Sequence, residues 1–384
     1  MKNNNAQLIL EDGSVFGGTA AGFKKSTAGE VGFATGMVGY EQSLTDPSYA
    51  GQILTFTYPL IGNWGVPPDN FWESEKIQVQ AVIISNLCKK PNHHLMQKTL
   101  NDWLVEEKIP AIVGIDTRAL TQKLRDRGVM LGKIVFEDND TDFDDPNTRN
   151  LVAEVSPREV KVHKPFKGDS LKGFVIGLLN CGAKRNIVRC LVSRGVTVYD
   201  LPWDYDPFAH KNAQSTSGVK SGNHLDHTEG VSKLIQIPKI DGLIISNGPG
   251  DPKMVKETIA IIRKAMNRQI PTFGICLGNQ LLALAAGGDT YKLKFGHRSQ
   301  NQPTIDVNTK RCYITTQNHG FTVNEKKLPH GFKRWFYNAN DNTNEGLIHE
   351  NLPFFSVQFH PEATPGPTDT EWLFDYFLER IKKQ

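Results

Sequence analysis

Phe273-Gly274-Ile275-Cys276-Leu277-Gly278-Asn279-Gln280 is the stretch on which the reading of this chain turns. A short, mostly apolar run, Pro271 to Ile275, leads into one cysteine with a glycine two residues away on each side. A run rich in small and helix-forming apolar residues follows, Leu281 to Ala286. That is the layout of a nucleophile elbow: strand, sharp turn, helix. A reactive side chain on so tight a turn sits in strained backbone, and its neighbours must be nearly side-chain-free. A helix starting just after Cys276 directs its positive end at the sulfur and favours thiolate. The competing reading is a buried cysteine at a strand end, since free Cys packs as a small hydrophobe.

Outward from the elbow, strands and helices alternate. Phe174 to Leu179 is a continuous apolar run, as in a strand buried on both faces. Ala183 to Arg194 reads as a helix with Ile187, Val188 and Leu191 inward, stopped by Gly195. Val196 to Leu201 and Gly242 to Ser246 read as further strands, and Asp251 to Arg268 as a helix. The predicted fold class is α/β: a doubly wound, mainly parallel sheet, with Cys276 beyond the carboxyl end of its strand, where such sheets bind ligands. Residues 1–145 read as a separate mixed α/β domain. Its signals are a hairpin at Asp12-Gly13, strands at Gln52–Tyr58, Val79–Ser85, Ala111–Ile115 and Gly132–Phe136, and a helix capped by Asp116-Thr117. Residues 146–172, charged and proline-punctuated, read as a linker with one short helix at Pro146–Val155. Residues 173–384 form the elbow-bearing domain, interrupted by a polar stretch at about 204–230 that reads as a surface insertion.

A chain of 384 residues exceeds one ordinary core, so two or three domains are expected. The 44 Lys+Arg against 41 Asp+Glu give a net charge of +3, and no basic run asks for nucleic acid. Five widely spaced cysteines without a C-x-x-C argue against a disulfide framework or zinc site. His210, His224 and His227 match no common metal spacing. The first residues, Met1-Lys2-Asn3-Asn4-Asn5, lack an apolar signal core, and no apolar run approaches a membrane span. A reducing cytoplasm is the expected setting, and it keeps Cys276 a free thiol.

A cysteine nucleophile needs a base, and the base an orienting group. Phe354-Phe355-Ser356-Val357-Gln358-Phe359-His360-Pro361-Glu362, read as a strand ending in His360, supplies both. On an extended chain His360 and Glu362 face the same way, so Glu362 can hold one imidazole nitrogen while the other meets Cys276. Ser246-Asn247-Gly248-Pro249-Gly250-Asp251-Pro252 is a rigid turn whose backbone N–H groups can hold an oxyanion together with that of Leu277. A plain turn is the alternative, and a phosphate loop is disfavoured by the missing lysine and Ser/Thr. Gln317-Asn318-His319-Gly320-Phe321 offers polar groups beside a strand, suited to gripping an amino-acid carboxylate or amine; an ordinary polar turn fits those residues nearly as well.

Together the elbow, the SNGPGDP turn and the FHPE ending resemble the three signatures of class I, or triad, glutamine amidotransferases, in that family's chain order. Gly29–Phe33, Met37–Tyr40, Leu44–Tyr49, Thr57–Asn63 and Gly114–Thr121 are similar to the N-terminal domain of the carbamoyl-phosphate synthetase small subunit. Phe295–Arg298, Asn301–Pro303 and Thr364–Pro367 are similar to the same subunit, and the Asn301–Pro303 version and the long insertion before Gly242–Ser246 are more similar to its eukaryotic members. The resemblance implies that Cys276 attacks the glutamine side-chain amide, that His360 shuttles the proton, and that Glu362 orients His360. It implies glutamine binding by Ser48, Gly248, Gly250, Leu277, Gln280, Asn318, Gly320 and Phe321. It implies no cofactor or metal in this chain, and a synthetase partner, as large subunit or fused domains, that uses ATP and Mg and receives the ammonia. One departure stands out. The commonest elbow of the family reads C-L-G-H-Q, and Asn279 stands where it has His.

Overall fold

A computed structural model of the protein describes residues 5–137, 139–165, 173–209 and 237–383. The first of these segments rolls into a closed seven-stranded barrel. Asn5–Leu10 pairs antiparallel with Val15–Gly22 through a turn in which Gly13 takes φ +84°, a value only glycine adopts without strain. Thr27–Ala34, Gln52–Phe56, Ala81–Ile84 and Pro110–Val113 run parallel to one another in the barrel wall, and Met130–Phe136 closes it. Leu8, Leu10, Val31, Ile53, Ile83, Ile112 and Ile134 fill one core cluster of this domain. The helix Thr117–Arg127 starts where the sequence places it, with the Asp116 side chain accepting from Ala119 N at 2.9 Å.

The second sheet has ten strands. Thr197–Pro202, Val175–Asn180, Gly242–Ile245, Thr272–Ile275 and Phe354–Val357 lie side by side and parallel. They alternate faces as doubly wound strands must. Ile176, Leu178, Ile244, Phe273 and Ile275 pack on one side with the C-terminal helix Trp372–Lys382. Leu179, Leu243 and Ile245 pack on the other with the helices Lys256–Asn267 and Leu277–Ala285. Beyond Phe354–Val357 the sheet continues as an antiparallel wing of Asn344–His349, Phe332–Asn338, Thr290–Asp306 and Cys312–Val323. The parallel part is thus confined to the half that carries the elbow.

Two local expectations need correcting. The 146–172 stretch does more than connect, because Lys161–His163 pairs antiparallel with Thr197–Pro202 as an edge strand and Val152 is buried in the second core. The strand before His360 stops at Val357, not at His360; His360 is held instead by an isolated bridge to Thr316, with its N–H on the Thr316 carbonyl at 2.9 Å. Most of the polar insertion at 204–230, with His210, His224 and His227, lies outside the described residues. Among the described residues no helix is long and apolar enough to cross a membrane.

Candidate active site

Cys276 joins the strand Thr272–Ile275 to the helix Leu277–Ala285 with φ +54° and ψ −102°. A non-glycine residue there stores roughly 1–3 kcal/mol of strain, held by its surroundings. Its N–H donates to the Val357 carbonyl at 2.8 Å, tying the turn to the neighbouring strand. Both flanking glycines are sterically required. A Cβ on Gly274 would lie 2.4 Å from the Gly278 carbonyl oxygen, and one on Gly278 would lie 2.2 Å from the Ile245 carbonyl oxygen. The sulfur is almost fully buried and sits 3.6 Å from the Asn318 carbonyl.

His360 and Glu362 lie against the elbow, both buried. The His360 Nδ1 is 2.6 Å from Glu362 Oε1, so Nδ1 carries the proton and the carboxylate accepts. The Nε2 atom is buried without a hydrogen-bond partner among the described residues. Burial works against an imidazolium here, yet the charge of Glu362, reinforced by Cys276, raises His360 to about 10. Burial likewise opposes the Glu362 carboxylate, but Lys184 and His360 hold it down to about 2. Lys184 is the part that sequence reasoning missed. Its Nζ lies 3.1 Å from Glu362 Oε1 and donates to the Ala363 carbonyl, in a fully buried position. Glu73, from the barrel domain, faces the same cluster: it accepts from the Asn186 N–H at 3.0 Å and pairs with Arg189 at 3.0 Å. Burial lifts the Glu73 carboxyl above its ordinary value, against the pull of Lys184 and Arg189.

One pocket gathers Cys276 with all eight residues named for ligand binding: Ser48, Gly248, Gly250, Leu277, Gln280, Asn318, Gly320 and Phe321. Gly248 is forced, since a Cβ there would lie 2.1 Å from the Cys181 carbonyl oxygen, and Gly250 takes φ +81°. Ser48 enters from the barrel domain. Its hydroxyl accepts from Asn247 Nδ2 at 2.9 Å, and Asp46 accepts from Asn318 Nδ2 at 3.0 Å. Glu30, Gln52, Asn147, Lys292 and Arg298 also line the pocket; Glu30 and Arg298 fall in the Gly29–Phe33 and Phe295–Arg298 strings, but sequence reading gave none of the five a binding role. Glu30 pairs with Lys292 and accepts from Asn147 Nδ2 at 3.0 Å, drawing barrel, connecting segment and elbow domain together at one rim. The strings do not reveal that Glu30, Asn147 and Lys292 meet, because their contacts cross the domain junction.

Among the described residues His297, His319 and Glu345 present ligand-type atoms within 4.8 Å of one another. Both ring nitrogens of His319 are already engaged, with the Phe321 carbonyl at 2.8 Å and Gln317 Oε1 at 3.0 Å. His297 binds Asp341 at 2.9 Å. His319 thereby braces its own Gln317–Phe321 segment, while His297 Nδ1 and Glu345 Oε2 are buried without a hydrogen-bond partner among the described residues.

Residues 177–380 match the family described as glutamine amidotransferase class-I, and residues 8–134 match the carbamoyl-phosphate synthase small chain, CPSase domain. The chain is 46% identical over 397 residues to multifunctional protein pyr1-3 of Dictyostelium discoideum, covering 97% of this chain and 17% of that protein. It is 43% identical over 394 residues to human carbamoyl-phosphate synthase [ammonia], mitochondrial, covering 100% of this chain and 24% of that one. It is 45% identical over 387 residues to multifunctional protein CAD of Squalus acanthias, covering 97% and 16%. The chain therefore spans a quarter or less of the length of these relatives. With an elbow cysteine beside a buried His–Glu pair, a small-chain barrel in front and matches over both parts, the chain belongs to the class I glutamine amidotransferases, in the form found with carbamoyl-phosphate synthases.

Proposed function

We propose that this chain is the glutaminase component of a carbamoyl-phosphate synthase, releasing ammonia from glutamine and passing it to a synthetase subunit or fused domain. The observation that carries this reading is the single pocket uniting Cys276 with Ser48 of the small-chain barrel. The Cys276 proton passes to His360 Nε2, and the sulfur attacks the side-chain amide carbon of glutamine. Backbone N–H groups at Leu277 and the Gly248–Gly250 turn receive the oxyanion. His360 returns the proton to the leaving nitrogen, ammonia departs, and a γ-glutamyl thioester remains. Water, deprotonated by His360, then cleaves the thioester to glutamate and restores the thiol. Glu362 keeps the imidazole in the required tautomer throughout, as in other nucleophile–base–orienter sets.

The chemistry needs no cofactor or metal in this chain. ATP and Mg belong, in this reading, to the synthetase partner that combines ammonia with bicarbonate for the pyrimidine or arginine route. The human relative is named for ammonia; here the Cys276, His360 and Glu362 set favours glutamine as the nitrogen source. The cytoplasm, whose reducing conditions preserve the thiol, is the proposed location. The test is Cys276→Ser, assayed with the synthetase. Glutamine-dependent carbamoyl phosphate formation should vanish while ammonia-dependent formation persists. Wild-type glutamine-dependent rates in that variant would overturn the assignment.

A further inference from the structure

Gln358 directly follows the strand Phe354–Val357, and its side chain is completely buried beside the elbow. Its Oε1 accepts from Asn279 Nδ2 at 3.1 Å and from Gln280 Nε2 at 3.1 Å. Its Nε2 points at Cys276 Sγ from 3.7 Å. Which end of a buried amide faces a neighbour must be argued from the whole hydrogen-bond network, and here the network has an anchor. The Phe321 carbonyl can only accept, so the nitrogen of Gln280, at 2.8 Å, faces it. The second N–H of that nitrogen reaches Gln358, which must present its oxygen. On the other flank Ser356 Oγ donates to Asn279 Oδ1 at 2.8 Å, turning the Asn279 nitrogen toward the same oxygen. Two donors thus fix Gln358 Oε1, and the amide nitrogen is left to aim one of its two N–H groups at the sulfur.

The surroundings of the sulfur are therefore two-sided. The Asn318 carbonyl, 3.6 Å away, suits the S–H of the thiol. The Gln358 amide suits the negative sulfur, because hydrogen bonds to an ionised partner are the stronger ones. We propose that Gln358 is a further catalytic residue of this site, donating its Nε2–H to the Cys276 sulfur whenever that sulfur is anionic, with Asn279 and Gln280 as its positioning residues. This rests on the reading of Cys276 as nucleophile. The donor acts twice: when the thiol proton moves to His360 and charge develops on sulfur, and when the thioester C–S bond breaks and the departing sulfur takes the electron pair. It also gives Asn279 a purpose. An amide offers one donor toward Gln358 and one acceptor toward Ser356, and a neutral imidazole, the commonest occupant of this position in the family, offers the same pair.

The experiment is the pH dependence of Cys276 alkylation by iodoacetamide, followed at the Cys276 peptide by mass spectrometry, together with glutaminase kinetics in the complex with the synthetase. Gln358→Met keeps the volume and removes the N–H. Its alkylation midpoint should rise by about one pH unit and its kcat fall about tenfold, with KM for glutamine changed less than about threefold. Asn279→Leu should move the midpoint the same way, and Asn279→His should restore it. A folded Gln358→Met protein with the wild-type midpoint overturns the proposal. Where Gln358→Met does not fold, the wild-type protein decides: the Gln358 side-chain amide resonance should shift when Cys276 is alkylated, and an unmoved resonance overturns the proposal. Loss of glutaminase activity in Cys276→Ser with an unmoved Gln358→Met profile would sink this inference alone. Retained activity in Cys276→Ser would sink the reading beneath it.

Discussion

Replacing Lys184 by Met removes the only positive charge found touching the Glu362 carboxylate apart from His360 among the described residues. At 3.1 Å, with an effective dielectric of about 20, the gross attraction is about 5 kcal/mol. One pKa unit corresponds to about 1.4 kcal/mol, so removal should carry the Glu362 carboxyl from about 2 to roughly 6. The sign follows. Glu362 is held below its unfolded value, so it contributes stability above pH 4.5 that is lost as pH falls through about 2. In Lys184→Met the sign reverses: with its carboxyl above the unfolded value, Glu362 destabilises the fold above about pH 4.5, so the stability deficit should be largest near neutral pH and shrink as pH falls through about 6. Glu73, already lifted by burial, loses a compensating charge at the same time. Breaking a buried pair costs about 3–5 kcal/mol, and for a domain of this size each kcal/mol lowers Tm by roughly 2–4 °C. We therefore expect a Tm lower by about 10 °C and an acid limb of glutaminase activity displaced to near pH 6, read by calorimetry and a steady-state pH profile. Adding Glu73→Gln should recover part of the Tm, because it removes a second uncompensated carboxylate from the cluster. A Tm within 2 °C of wild type, with an unmoved acid limb, would refute the electrostatic account.

Gly278→Ala places a Cβ against the Ile245 carbonyl, an atom fixed in the parallel sheet; a loss of at least about 3 kcal/mol in chemical denaturation is expected. Burial opposes a charged His297, but Asp341 and Glu345 raise it to about 9, so its pairing contributes stability below pH 6.5 that fades as pH climbs through 9. Asp341→Asn should accordingly cost roughly 1–2 kcal/mol at pH 6, allowing for the partly exposed Asp341, and much less at pH 9.5; an equal cost at both pH values contradicts this. Asp46→Asn should lower kcat/KM for glutamine by about thirtyfold, since the carboxylate accepts from Ser48 N at 2.9 Å and Asn318 Nδ2 at 3.0 Å and an amide can satisfy only one. Unchanged kcat/KM would remove Asp46 from the pocket's support.

What the sequence makes legible is what is local. The glycines around Cys276 follow from one turn and can be read off one string, as can the Asp116 cap and the apolar runs of the parallel strands. His360 with Glu362 is also local, although the extended geometry first invoked for it is wrong. The strand ends at Val357, and the pair meets through an irregular segment bridged to Thr316. The antiparallel wing is harder to read. The strand Thr290–Asp306 runs through Gly296, Asn301 and Pro303 with two register shifts, so its period-2 pattern is broken. Lys184 and Glu73 were invisible for a different reason. A lone charged residue in a helix or loop normally faces solvent, and only tertiary pairing with a residue roughly a hundred or more positions away makes burial tolerable.

That same pattern explains why the barrel cannot be a mere appendage. A pocket for a small zwitterion needs polar groups converging from several directions, and each must be held without water's help. The elbow domain supplies the sulfur and the imidazole but leaves gaps on the barrel side, filled by Ser48 on Asn247, Asp46 on Asn318 and Glu30 on Lys292. Glu73 extends the link to the helix Arg185–Ser193, and through Lys184 to the carboxylate that orients His360. Because the Ser48–Asn247 and Asp46–Asn318 contacts are buried, shifting the barrel even slightly would unpair them together, and the cost of each unpaired group is larger than the gain from forming it. The domain junction is consequently a place where any displacement of the barrel bears on His360, some of it through a single lysine.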